Sequence, residues 1–253
     1  MTADTHQTAP TQFVEANGMR FAYRRFGKAG GVPIVFNQHY LGTMDYWDPA
    51  VTDGLARDRE VILFNNAGVS SSCGEVPTTC EEMGANAVEF IRALGTGPRG
   101  GEGMASQTPE AQRIFGAAYD PPEHLWLAVH FGPSQKAQAA GLEFLKRKHL
   151  RQVDRDREVN ERVGPRQREA IAKWGVQREG PYDYLKTIKQ PALVVNGNKD
   201  LIVYTINSFI LQQNLPNAQL IIYPDSNHGA PYQYPDLFVR HVSLFLSESD
   251  RAA

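Results

Sequence analysis

Val194-Val195-Asn196-Gly197-Asn198-Lys199-Asp200 and, further on, Asp225-Ser226-Asn227-His228-Gly229 are the stretches on which the reading of this chain turns. Each follows an apolar run, Ala192 to Asn196 for the first and Leu220 to Tyr223 for the second, with the length and composition of a buried strand. An acid just past one strand and a histidine just past the next supply two of the three groups of a nucleophile–His–acid triad. The third group, a nucleophile, has a sequence signature of its own, a Gly-x-Ser-x-Gly turn between a strand and a helix. No such turn occurs in the sequence.

Composition bounds the rest. A chain of 253 residues can bury a sizeable core in one α/β domain. Hydrophobic residues make up 42% and charged residues 21%, the balance of a globular protein. A net charge of -2 gives no reason to expect nucleic acid or an anionic membrane as partner. No apolar run approaches the roughly 18 residues of a membrane span. Met1 to Gln12 is polar, without the apolar core of a secretory signal, and Asp250 to Ala253 is not a peroxisomal address. Cys73 and Cys80 lie close enough in sequence for a disulfide, but the expectation is two reduced thiols of a cytoplasmic protein.

Phe13 to Phe26 reads as a hairpin around the turn pair Asn17-Gly18. Val32 to Phe36 and Val61 to Phe64 are short apolar runs, as expected of strands buried on both faces. Thr79 to Leu94 reads as a helix. Thr79 caps it, Glu82 follows three residues on, and Met83, Ala87, Phe90, Ile91 and Leu94 mark one face. The pattern breaks at Gly95 to Gly103. From Thr108 to about Tyr184 the chain reads as helical and polar. Lys146 to Lys173 holds ten Lys/Arg against five Asp/Glu, and interspersed acids without an aromatic series make this a solvated cap rather than a nucleic-acid patch. Strand–helix alternation then resumes: Ala192 to Asn196, a helix near Thr205 to Gln213, Leu220 to Tyr223, and a last helix around Phe238 to Leu246.

Four stretches together resemble one family: Phe36-Asn37-Gln38-His39-Tyr40-Leu41-Gly42-Thr43, Phe64-Asn65-Asn66-Ala67-Gly68-Val69-Ser70, Asn196 to Asp200, and Ser226 to Gly229. Each follows an apolar strand, and in this order the chain is similar, from about Phe13 to Leu246, to α/β-hydrolases of the small esterase, haloperoxidase-like and biosynthetic-cluster group. The resemblance implies one α/β-hydrolase-like domain over residues 1–253. Its sheet is mostly parallel, with an N-terminal hairpin and a helical cap at about 104–185. It implies that Asp200 is the acid and His228 the general base. It places an oxyanion-hole amide at Leu41, with Tyr40 second. A helix N-cap is the competing role for Asp200, and a plain turn the competing role for Tyr40 and Leu41. Asp225 is expected to shape the loop before His228. Asn65 and Ala67 stand where relatives carry an acid and an arginine. A small-molecule substrate is expected. Neither a cofactor nor a metal is expected, since His39, His124, His130, His149 and His241 show no metal-ligand spacing.

In relatives a helix such as Thr79 to Leu94 is followed by a strand, the nucleophile elbow, a helix and another strand. Here Leu94-Gly95 runs directly into Thr96-Gly97. A strand–helix–strand unit takes at least roughly 30 residues, so the central strands and the nucleophile helix are read as deleted at this junction. Ser70, Ser71, Ser72, Cys73 and Ser106 are the replacement nucleophiles to consider, and a water activated by His228 is the remaining route. Val32 to Phe36 and Ala192 to Asn196 must then pair with each other or leave apolar edges open, which predicts a poorly stable or oligomeric product. Three readings follow. The chain is a hydrolase of a small ester, lactone or thioester that has lost its elbow. It is a catalytically silent relative kept for ligand binding or regulation. Or it is a non-hydrolytic acid–base enzyme of secondary metabolism. The aromatic residues Trp126, Phe131, Phe144 and Trp174 are candidates for pocket walls or for plain core.

Overall fold

The computed structural model describes residues 4–94, 113–115, 117–176, 180 and 182–251. The chain divides into two compact units: Met1–Gly100 with Lys148–Val176, and Gly101–Arg147 with Gln177–Ala253. The polar stretch read as one helical cap is therefore shared between them.

The first unit is built on a hairpin. Strands β1 (Gln12–Ala16) and β2 (Met19–Gly27) pair antiparallel, with Ala16 opposite Met19. Asn17 and Gly18 both have positive φ, 51° and 71°, which gives the two-residue turn whose twist matches its strands. Strand β4 (Glu60–Phe64) pairs antiparallel with β2 and parallel with β3 (Ile34–Phe36), giving the order β1-β2-β4-β3. Helix α1 (Pro49–Ala56) starts behind Asp48, whose side chain accepts from Ala50 N. Helix α2 (Cys80–Ala93) starts behind Thr79, whose hydroxyl accepts from Glu82 N at 3.2 Å. Its Phe90 and Ile91 join Phe21, Tyr23, Ile62 and Phe64 in the core, with Ala87 and Leu94 packed alongside. Phe90 stacks on Phe64 at 4.2 Å between ring centroids.

The basic run is not all solvated helix. Lys148 closes one helix, an irregular segment over 149–160 follows, and α5 (Val163–Trp174), numbered after the two helices of the second unit, comes next. Arg151, in the irregular segment, is buried and donates to the carbonyls of His6, Gln7 and Ala9 at 2.9 Å each. Arg24, pointing inward from β2, donates to Asp45 Oδ1 at 2.6 Å and to the Asp154 carbonyl at 2.7 Å. Asp45 also accepts from Asp156 N at 2.5 Å. The segment is thus pinned by charge and backbone carbonyls, which periodicity cannot register.

The second unit contains α3 (Leu125–His130), α4 (Gln135–Lys148), whose last residue falls to the first unit, β5 (Ala192–Gly197), α6 (Thr205–Asn214), β6 (Ala218–Tyr223), α7 (Ala230–Gln233) and α8 (Pro235–Arg251). Strands β5 and β6 are parallel, in register from Ala192 opposite Ala218 to Gly197 opposite Tyr223, and α6 packs against both. Phe131 and Phe144 are fully buried, and Phe144 stacks on Tyr232 at 4.7 Å, so these aromatics are core. Trp174 lies on α5 in the first unit.

Among the described residues β3 pairs with β4 alone and β5 with β6 alone. Ile34, Val35 and Phe36 are only half-buried, as are Leu193, Val194 and Val195, and Val32 is 71% exposed. Strands with the composition of a doubly covered centre here lie at sheet edges. The junction at Gly95-Thr96, where a deletion is read, lies outside the described residues.

Candidate active site

Asp200 and His228 come together in the second unit. Both sit in the turns that leave the carboxyl ends of the parallel pair β5 and β6. His228 Nδ1 is 2.9 Å from Asp200 Oδ2. The acid is 1% exposed and the imidazole 35% exposed, so the carboxylate is shielded and the ring opens to solvent. The other oxygen of Asp200 accepts from Ile202 N at 2.8 Å and Val203 N at 3.0 Å. Asp200 is thus not the N-cap of α6, a place taken by Tyr204: one oxygen closes the turn that precedes the helix, and that bond fixes the carboxylate for the imidazole held by the other. A ring held at Nδ1 by a carboxylate has Nε2 as its proton-accepting nitrogen.

The histidine turn is fastened from two sides. Gly197, at the end of β5, has no room for a side chain: a Cβ there would lie 2.2 Å from the Ser226 carbonyl and 2.3 Å from that of Asn227. Lys199 N donates to the Ser226 carbonyl at 2.9 Å. On the other side, α3 ends in carbonyls with no partner inside the helix. Asn227 Nδ2 donates to the Phe131 carbonyl at 3.0 Å and to that of Ala128 at 3.4 Å. His228 N donates to the Val129 carbonyl at 3.4 Å, and Gly229 N to that of His130 at 2.8 Å. The Asn-His-Gly sequence caps a helix C-terminus as it presents the imidazole. The His130 ring, stacked on Trp126 at 4.6 Å, lies 5.7 Å from the ring of His228. Neither Asn227 as an anchor nor His130 as a neighbour was read from sequence; their partners are distant in the chain.

Asp225 sits at φ 48° and takes no part in the pair. Its side chain accepts from the Ser134 hydroxyl and, at 3.3 Å, from Lys199 Nζ. The Ser134 bond, then Lys199, holds its carboxyl below the usual range. Ser134 Oγ also accepts from Ala137 N at 3.1 Å, which makes it the cap of α4.

Tyr40 and Leu41 lie in the first unit, in the turn after β3. Leu41 has φ 57°, left-handed backbone that a branched side chain rarely adopts. Its N–H does not point to open space: it donates to Gln167 Oε1 of α5 at 2.7 Å. The Tyr40 hydroxyl accepts from Arg168 Nη1 at 2.6 Å. The serines after β4 are engaged as well. Ser72 Oγ bridges Ala22 N and the Asn65 carbonyl, at 2.9 and 2.8 Å. Ser70 Oγ donates to Asp156 at 3.2 Å, and Cys73 Sγ accepts from Arg20 N at 2.9 Å. Ser71 is half-buried, and Ser106 lies outside the described residues. Both cysteines are free thiols. Asn65 is buried, accepting from Met44 N at 3.0 Å and donating to Asp156 at 2.8 Å, so the residue that departs from the family pattern is locked in place.

A solved α/β-hydrolase fold protein from Chitinophaga pinensis is 34% identical to this chain, with a TM-score of 0.87, over 96% of this chain and 99% of that one. The chain belongs to the α/β-hydrolase fold family. The enol-lactonase of Burkholderia xenovorans shares the fold at 16% identity and a TM-score of 0.69, over 93% of this chain and all of its own. A stretch of 66 residues is 32% identical to a 2-hydroxymuconate semialdehyde hydrolase of Pseudomonas putida, covering 26% of this chain and about a quarter (24%) of that enzyme. No protein-family model matches the chain. No helix among the described residues is long and apolar enough to cross a membrane.

Proposed function

We propose that this α/β-hydrolase retains two thirds of a catalytic triad. Asp200 holds His228 in one tautomer and stabilises the imidazolium, and His228 is the general base. The reaction for which the pair is built is hydrolysis of a small ester, lactone or thioester by acyl transfer. The Leu41 amide, with Tyr40 second, is the proposed donor to the acyl oxygen. The observation that carries this reading is the 2.9 Å contact between a buried carboxylate and an open imidazole. The sequence supplies no elbow serine, and loss of a triad nucleophile costs about 10⁶ in turnover. The chain as it stands is therefore expected to hydrolyse p-nitrophenyl acetate and butyrate at the background rate, with no further fall in His228→Ala. Robust turnover that His228→Ala abolishes would overturn the inactive reading and point to another nucleophile or to activated water.

A second reading, a catalytically silent ligand-binding relative, is favoured by the Leu41 amide being already occupied by Gln167. Saturable micromolar binding of an ester or lactone without turnover supports it, and absence of binding across such a panel argues against it.

A further inference from the structure

We propose that Gln167 is an internal plug of the Leu41 amide: its carboxamide oxygen occupies the place of an acyl or carboxyl oxygen, and a ligand of that class gains the amide only when Gln167 leaves it. The inference rests on the reading of Leu41 N–H as an acyl-oxygen donor and adds what controls it. Four observations within the first unit carry it. The bond from Leu41 N to Gln167 Oε1 is 2.7 Å, and Gln167 is 4% exposed, so water does not compete for it. Leu41 adopts left-handed backbone, which for a non-glycine residue persists only when its surroundings hold it. The same face of α5 touches the turn at two further points: Arg168 binds the Tyr40 hydroxyl, and the Gly164 Cβ position is 3.2 Å from that hydroxyl and 3.6 Å from Leu41 Cδ2. Leu41 also packs on the cluster of Val69, Val76 and Val163, and Val163 opens α5.

A carboxamide oxygen has the geometry and acceptor strength of an amide or ester carbonyl, so what displaces it must offer the same: an acyl carbonyl or a carboxylate. Arg168 is exposed beside the turn, bound to the Tyr40 hydroxyl, and its charge favours the anion. Glycine at position 164 lets the helix approach this closely, and a side chain there would press on Tyr40.

The test is NMR on the full chain, following the Leu41 amide in wild type and in Gln167→Met, which keeps volume but removes the acceptor. Butyrate is the probe. The expected result is slow Leu41 exchange and no butyrate response in wild type. In Gln167→Met, exchange should rise about tenfold, the worth of one neutral hydrogen bond, and the Leu41 resonance should move saturably with butyrate. Phe90 and Ile91 resonances, remote from the change, report that the fold is intact. Unchanged Leu41 exchange in the folded variant overturns the plug. Wild type responding to butyrate as strongly as the variant overturns it too. Faster exchange without a butyrate response defeats the acyl-oxygen reading of Leu41 and leaves Gln167 a loop fastener only. If Gln167→Met fails to fold, Gln167→Glu, which keeps an acceptor, must retain slow Leu41 exchange, and fast exchange there overturns the plug.

Discussion

Asp45 in the first unit and Asp200 in the second are both buried carboxylates with a basic partner, yet they are built for different ends. Asp45 is enclosed: Arg24 binds one oxygen at 2.6 Å with Arg151 Nε 3.7 Å away, Asp156 N binds the other, and both arginines are buried with it. Asp200 spends one oxygen on backbone N–H groups and the other on a single imidazole that is one-third exposed. In the first case every group is held by several others, so the arrangement fixes a chain path. In the second the final partner is held by one bond and faces solvent. Exposure of the last group in the chain of contacts separates a structural ion cluster from a candidate catalytic pair.

The contrast can be broken experimentally. The largest effect belongs to the closed cluster: Asp45→Asn leaves two buried guanidinium groups short of charge and should cost about 3–5 kcal/mol, measured by urea unfolding. A loss below about 1 kcal/mol would show that the cluster is not as closed as its geometry indicates. Next comes pH. Burial is the main cause that pushes His6 down from 6.5 to about 4, helped by Arg24, Arg151 and Arg155 and opposed by Asp45. The folded value lies below the unfolded one, so the unfolded chain takes the proton first. Stability should fall by about 3 kcal/mol as pH drops from 6.5 toward 4, and His6→Asn should flatten that slope. Burial raises Asp53 and Asp156; those groups act in the opposite sense, so the slope of the His6 difference, not of the wild type alone, is the quantity to read.

Smaller effects sharpen the open site. Gly197→Ala forces a methyl against two carbonyls and should cost about 1–3 kcal/mol, with a cis-acting loss of the Asp200–His228 bond seen in the imidazole nitrogen shifts. Asn227→Ala frees the C-terminal carbonyls of α3 and should cost about 1–2 kcal/mol. His228→Ala, by contrast, removes a part-exposed ring and should change stability by less than about 0.5 kcal/mol. A large loss there would place His228 with the structural cluster after all.

How much of this was legible in sequence follows from how local each signal is. The hairpin was legible because Asn17-Gly18 states its own turn, and α2 because Thr79 states its own cap. The meeting of Asp200 and His228 was legible because each lies in the turn that follows a strand. Arg151, Asp45 and Arg24 were not, since their partners are far along the chain and a charged run looks solvated until something folds over it. Gln167 was invisible for the same reason: a glutamine on a polar helix gives no hint that it meets a backbone amide. The half-burial of β3 and β5 was not legible, because an apolar strand does not say whether anything covers it.

The most direct test of the account reads the gene and its message across the codons for Leu94 to Gly97. The account predicts an in-frame segment encoding strand, Gly-x-Ser-x-Gly turn, helix and strand between Gly95 and Thr96, which would complete the triad with Asp200 and His228. Gene and messages that all join Gly95 directly to Thr96 would contradict it and leave ligand binding or residual acid–base chemistry as the function of the pair.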